Sequence, residues 1–187
     1  CSSDLTQNVA SVIRDIIASV FPASEVAVIG GDTAVADLLL DLPFDHIFFT
    51  GSPRIGKKIM ACAAKNLSSM TLELGGKSPA IVHHDADLVL AVERLVWASF
   101  LNAGQTCVAP DYVFVHKNIA HEFQDKIKTR IETVFGDSYS AREQCKDMAR
   151  VIDPANLNRL QNLITSSLDS GAKLLHGGNA NADRKST

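Results

Sequence analysis

One stretch limits the possible folds more than any other. The run His46-Ile47-Phe48-Phe49-Thr50 is followed by Gly51-Ser52-Pro53, a helical stretch from Arg54 to Leu67, and a second run from Met70 to Leu74. Short apolar runs of this length read as buried strands, and the segment between them has helical spacing. Strand, helix and strand joined by short turns argue for a parallel sheet built from right-handed crossovers.

The same alternation extends in both directions. Leu5 to Val20 carries Val9, Val12, Ile13, Ile16, Ile17 and Val20 on one helical face, with Ser2, Ser3 and Asp4 as capping candidates. Glu25 to Ile29 reads as a short strand turning at Gly30-Gly31, and Thr33 to Leu40 as a short helix. After Gly76 the pattern restarts. Pro79 to His83 reads as a strand, Leu88 to Leu101 as an apolar helix, and Tyr112 to His116 as a strand. Ile119 to Phe135 reads as an amphipathic helix closed by Gly136. Ser138 to Lys146 is polar and reads as loop, Asn156 to Leu168 as a helix, and Lys173 to His176 as a strand. The domain boundary is expected at Gly75-Gly76. The chain opens on a helix with no strand before it and ends on a strand and a polar tail. Both ends therefore look cut from a larger sheet.

Composition excludes several function classes. A formal net charge of -3 over 187 residues gives no basic field for nucleic acid. No apolar run reaches bilayer length, and no signal-peptide pattern opens the chain. The cysteines Cys1, Cys62, Cys107 and Cys145 match neither a zinc spacing nor a disulfide framework. Free thiols point to a reducing, cytoplasmic setting. The histidines His46, His83, His84, His116, His121 and His176 show no metal spacing either, and His83-His84 reads as a loop pair.

Three positions carry chemistry. Cys107 follows Gly104-Gln105-Thr106, a polar turn that exposes a thiol. A thiolate is a strong nucleophile where its pKa is lowered. The competing reading is a small buried residue, the common state of a free cysteine. Glu73 is the only charge in Met70 to Gly76. An apolar strand disfavours its charged form and moves it toward general-base duty, whereas an edge-strand position would simply face it to solvent. Ser52 and Pro53 suit a helix start whose free N–H groups bind phosphate, although any strand-to-helix turn can look this way.

Together these segments resemble the aldehyde dehydrogenase superfamily. Phe48-Phe49-Thr50-Gly51-Ser52-Pro53-Arg54-Ile55-Gly56 is similar to its cofactor loop. Thr71-Leu72-Glu73-Leu74-Gly75-Gly76-Lys77-Ser78-Pro79 is similar to its glutamate signature, and Gly104-Gln105-Thr106-Cys107 to its cysteine signature. The similarity runs from about Ser3 to the end, closest to the branch acting on coniferyl and long-chain aldehydes.

The resemblance implies an α/β fold with a partial Rossmann-like parallel sheet, then part of an α/β catalytic domain, truncated at both ends. Residues 1–75 would be the later part of the NAD(P)-binding domain, and 76–187 the first part of the catalytic thiol domain. Cys107 would attack an aldehyde, bulky aromatic or long-chain, to form a thiohemiacetal that passes on to a thioester. Glu73 would activate water to release the carboxylic acid. NAD or NADP would be held by Gly51, Ser52, Gly56, Leu74, Gly75 and Asp4, with no metal, in a homo-oligomer. The sequence departs from the family where Cys1-Ser2 replace a lysine and proline near the ribose. The oxyanion-hole asparagine, the downstream ribose-binding glutamate and the dimer-forming strands have no counterpart here. The isolated chain is therefore expected to be inactive. Two other readings stay open: a non-catalytic nucleotide-binding or interaction remnant of the fold, and a cysteine-dependent esterase.

Overall fold

A computed structural model describes residues 6–181. The chain divides into two compact units, one ending at Gly75 and the other starting at Gly76.

In the first unit, α1 (Gln7–Val20) and α2 (Thr33–Leu40) precede β1 (His46–Gly51), α3 (Pro53–Ala63) and β2 (Ser69–Leu74). Asp32 caps α2 by accepting from the N–H groups of Ala34 and Val35. The strands β1 and β2 pair in parallel, with His46 opposite Ser69 and Gly51 opposite Leu74. Parallel neighbours need a crossover, and α3 is that crossover. Its Gly56, Ile59 and Ala63 are buried.

The second unit is built around β3 (Ser78–Val82) and β4 (Pro110–Val115), also parallel, with Val82 opposite Val115. Between them runs α4 (Leu88–Phe100), started by Asp87, whose carboxylate accepts from Val89 and Leu90 N–H. After β4 come α5 (Ala120–Phe135), α6 (Tyr139–Gln144) and α7 (Pro154–Asp169). The core joins Val82 with Val92, Leu95 and Val96 of α4, Phe123 and Phe135 of α5, and Met148. Val96 is only 1% exposed. The other face of this sheet is open: Ile81 is 78% and Phe114 62% exposed. No helix among the described residues is long and apolar enough to cross a membrane.

Three sequence expectations need correction. Glu25 to Ile29 is not a strand, because the N–H groups of Glu25 and Val26 turn back to the Pro22 carbonyl. Lys173 to His176 is likewise irregular. A strand exists only where a neighbour completes its ladder, and apolar composition supplies no neighbour. Ser138 to Lys146, read as loop, contains α6. Its polar sequence hides a Ser138 cap on Ala141 N–H and a buried Arg142 that donates to the Gly136 carbonyl at 2.9 Å.

His176 sits mostly buried, 3.8 Å from Glu132. Burial pushes its imidazole below the usual value; Arg142 and Lys128 add to that, and Glu132 opposes it. The fold therefore keeps His176 neutral at pH values where the unfolded chain already takes up a proton. Protons then favour the unfolded state. We expect thermal stability to fall as pH drops below about 6.5, the ordinary imidazole value. His176→Gln should flatten that slope in melting curves from pH 7.5 to 5. An unchanged slope would remove His176 as its origin.

Candidate active site

In the first unit the candidate residues meet at one end of the β1–β2 pair. The register sets Thr50 opposite Glu73 and Gly51 opposite Leu74. The chain leaves β1 through Ser52, whose backbone is extended (φ -76°, ψ 149°) and whose hydroxyl accepts from Ile55 N–H at 3.4 Å. Pro53 occupies the first helical turn, where its missing N–H costs nothing. The start of α3 thus presents backbone N–H groups beside the end of β2.

Gly56 explains how α3 sits so close. It is buried, and a Cβ there would come within 3.0 Å of Leu74 Cδ2. A side chain at Gly51 would meet the Phe49 ring, whereas around Gly75 the space is open to 4 Å. The Glu73 side chain is exposed and makes no hydrogen bond or ion pair among the described residues. Asp4 lies outside the described residues.

In the second unit, Cys107 sits on the turn that follows α4. Three consecutive residues there adopt positive φ: Asn102 at 54°, Ala103 at 55° and Gly104 at 71°. Asn tolerates this region and Gly prefers it, but Ala pays roughly 1–2 kcal/mol for it. Strain of this kind persists only where surrounding contacts hold it.

The holding residue is Gln105. Its amide nitrogen donates to the carbonyls of Asn102 at 2.9 Å and Arg150 at 3.0 Å, and its amide oxygen accepts from Ile152 N–H at 2.8 Å. Cys107 follows two residues later with an exposed side chain. On its other flank is Gly76, where a Cβ would lie 3.1 Å from the Cys107 carbonyl oxygen. Lys77 next to it pairs with Asp111 at 2.8 Å.

The sequence singled out Cys107 but gave no pinning role to Gln105. A glutamine after a glycine turn was the available signal for Gln105. Its partners at Arg150 and Ile152 come from a segment that no local pattern connects to it. A groove of about 450 Å³ between α4 and α5, lined by Val89, Glu93, Lys126 and Arg130 among others, includes none of the candidate residues.

Comparison with known proteins places these features in context. Residues 2–187 match the profile described as the aldehyde dehydrogenase family. The chain is 37% identical over 183 residues to the 4,4'-diaponeurosporen-aldehyde dehydrogenase of Staphylococcus aureus, covering 98% of this chain and 39% of that protein. It is 39% identical over 176 residues to the dimeric NADP-preferring aldehyde dehydrogenase of Mus musculus, covering 94% of this chain and 37% of the other. Among solved structures, the substrate-bound state of Staphylococcus aureus AldH aligns with a TM-score of 0.84 at 37% identity, over 98% of this chain and 39% of that one. The chain thus spans about two-fifths of the length of these relatives.

Removing the Gln105 amide should loosen the cysteine turn. Three hydrogen bonds at about 1 kcal/mol net each, reduced by exposure, give a loss of about 1–3 kcal/mol for Gln105→Ala. Hydrogen exchange should speed at the Ile152 amide in that variant. Gln105→Glu keeps the oxygen that accepts from Ile152 and should spare that amide. Equal exchange at Ile152 in wild type and Gln105→Ala would count against the pin.

Proposed function

The chain belongs to the aldehyde dehydrogenase family, and from that premise we propose that Cys107 and Glu73 are the nucleophile and the water-activating base of an NAD(P)-dependent aldehyde oxidation. The observation that carries this reading is the β1–β2 register, with Gly51 opposite Leu74. It brings the segment similar to a cofactor loop beside the segment similar to a glutamate signature, at the carboxyl ends of adjacent parallel strands. Open α/β sheets bind their ligands at that edge.

The residues present fit a dinucleotide. The α3 N-terminus offers N–H groups and a positive dipole end to a pyrophosphate beside Gly51 and Ser52. Gly56 lets that helix approach β2, and the open space at Gly75 leaves the backbone near Leu74 accessible to a flat ring. The resemblance assigns the adenosine ribose to Asp4, which lies outside the described residues. When bound, NAD or NADP supplies the hydride acceptor.

The chain's own residues do the rest. The Cys107 thiolate adds to the aldehyde carbon, forming a C–S bond and an oxyanion. Once the carbon is oxidised to a thioester, Glu73 takes a proton from water. The water oxygen attacks the thioester carbonyl, and the C–S bond breaks to return the thiolate and release the carboxylic acid. Covalent capture splits one difficult oxidation into two easier steps. Placing Cys107 on a turn held by Gln105 fixes the backbone from which the exposed thiol projects, which suits a group that must meet a substrate carbonyl. The substrate class in this reading is a bulky aromatic or long-chain aldehyde, and the working state is a homo-oligomer. Residues up to Gly75 serve the cofactor, and those from Gly76 onward serve the thiol.

In the protein that carries this sequence, Cys107→Ala should abolish aldehyde-dependent NAD(P)H formation. Glu73→Gln should retain one rapid equivalent of NAD(P)H and slow steady turnover by about 10²-fold or more. Stopped-flow absorbance separates the two phases. Oxidation that survives Cys107→Ala would sink the assignment of the nucleophile, and an unchanged steady rate in Glu73→Gln would sink that of the base.

A further inference from the structure

A second cluster of reactive side chains lies at the carboxyl ends of β3 and β4, and the proposed oxidation does not use it. The parallel pairing of Val82 with Val115, extended by a 3.0 Å hydrogen bond from His116 N–H to the Val82 carbonyl, sets the residues after both strands side by side. His83, His84 and Asp85 follow β3, and His116 follows β4. The three imidazoles converge. Ring centroids are 4.1 Å apart for His83 and His84, 5.2 Å for His84 and His116, and 5.7 Å for His83 and His116. Donor atoms of His83, His84 and Asp85 all lie within 4.8 Å of one another.

We propose that His83, His84 and His116 bind a divalent transition-metal ion of the zinc class, with Asp85 positioning His83. A tetrahedral ion held by nitrogens at about 2.1 Å sets neighbouring imidazole centroids roughly 5 Å apart. The two centroid spacings to His116 are close to that, but its nitrogens lie outside the His83–His84–Asp85 donor group, so binding turns the His116 ring toward the ion and rotates His83 and His84 apart. His83 Nδ1 lies 2.7 Å from Asp85 Oδ1. A proton on Nδ1 donates to the carboxylate and leaves Nε2 as the ligand atom, the usual carboxylate–histidine–metal arrangement. His116 Nδ1 accepts from Asn118 N–H at 3.3 Å. That is a long bond, and coordination through Nδ1 replaces it at small cost. The His84 side chain is exposed and makes no hydrogen bond among the described residues. An all-imidazole set with an open position suits zinc, copper(II) or nickel(II) over magnesium or calcium, which take oxygen ligands. The ion would clamp the end of β3 to the end of β4.

Cobalt(II) is the probe, because it reports its ligands. Titrated near pH 7.5 into the protein that carries this sequence, it should shift the ring-proton NMR signals of His83, His84 and His116 and leave those of His46 and His121 in place. Zinc(II) calorimetry should show one ion bound at this cluster. His84→Ala and His116→Ala should each weaken it by about tenfold or more, while His121→Ala should bind as wild type does. Shifts at none of the three imidazoles, including binding seen only through a cysteine-thiolate charge-transfer band, would overturn the proposal. So would wild-type affinity in a folded His116→Ala. The NMR readout on the unaltered chain decides the matter even if a variant fails to fold.

Discussion

Parallel strand pairing is the constraint on which both units depend. Hydrogen bonding two strands in the same direction puts their carboxyl ends at one edge, whatever the length of chain between them. In the first unit this brings Gly51 and Ser52 beside Glu73, Leu74 and Gly75. In the second it brings His83 and His84 beside His116. Helices α3 and α4 make the return trips, and each starts on a side-chain cap, Ser52 in one case and Asp87 in the other. The caps fix where each helix begins and hence where its strand must end.

Small residues set the distances within that frame. Gly56 lets α3 close on Leu74, and Gly76 lets the start of the second unit run against the Cys107 carbonyl. Neither position contributes a functional group. Both contribute the absence of one, in places where a methyl group would push neighbouring backbone or side chain aside. Gln105 works in the opposite way. It spends every polar atom of its amide on backbone partners.

The periodicity of the sequence made most helices and four of the strands legible, because apolar spacing depends only on local geometry. It failed where structure depends on a distant partner. Glu25 to Ile29 and Lys173 to His176 have strand-like composition but no ladder. The polar α6 forms because Ser138 caps it and Arg142 is buried beneath it. The site shows the same division. Cys107, Glu73 and Ser52 stood out through their immediate neighbours. The Gln105 contacts with Arg150 and Ile152, and the meeting of His116 with His83-His84, join segments that no local pattern links. Periodicity also says which face of an element is apolar, not what covers it. The apolar face of α1, with Val12, Ile13 and Ile16, and the outer sheet residues Ile81 and Phe114 are exposed in this chain.

The positive-φ run at Asn102, Ala103 and Gly104 makes the position of the thiol a matter of stereochemistry. At Ala103 the backbone occupies the conformation natural to the mirror-image amino acid. The chain follows this path against the preference of its own chirality, and the Gln105 contacts keep it there. In a semisynthetic chain, D-alanine at this one position would fit the turn without strain, while almost everywhere else in the fold a D-residue would be an injury. The presentation of the cysteine is thus written in the handedness of the main chain as much as in the identity of any side chain.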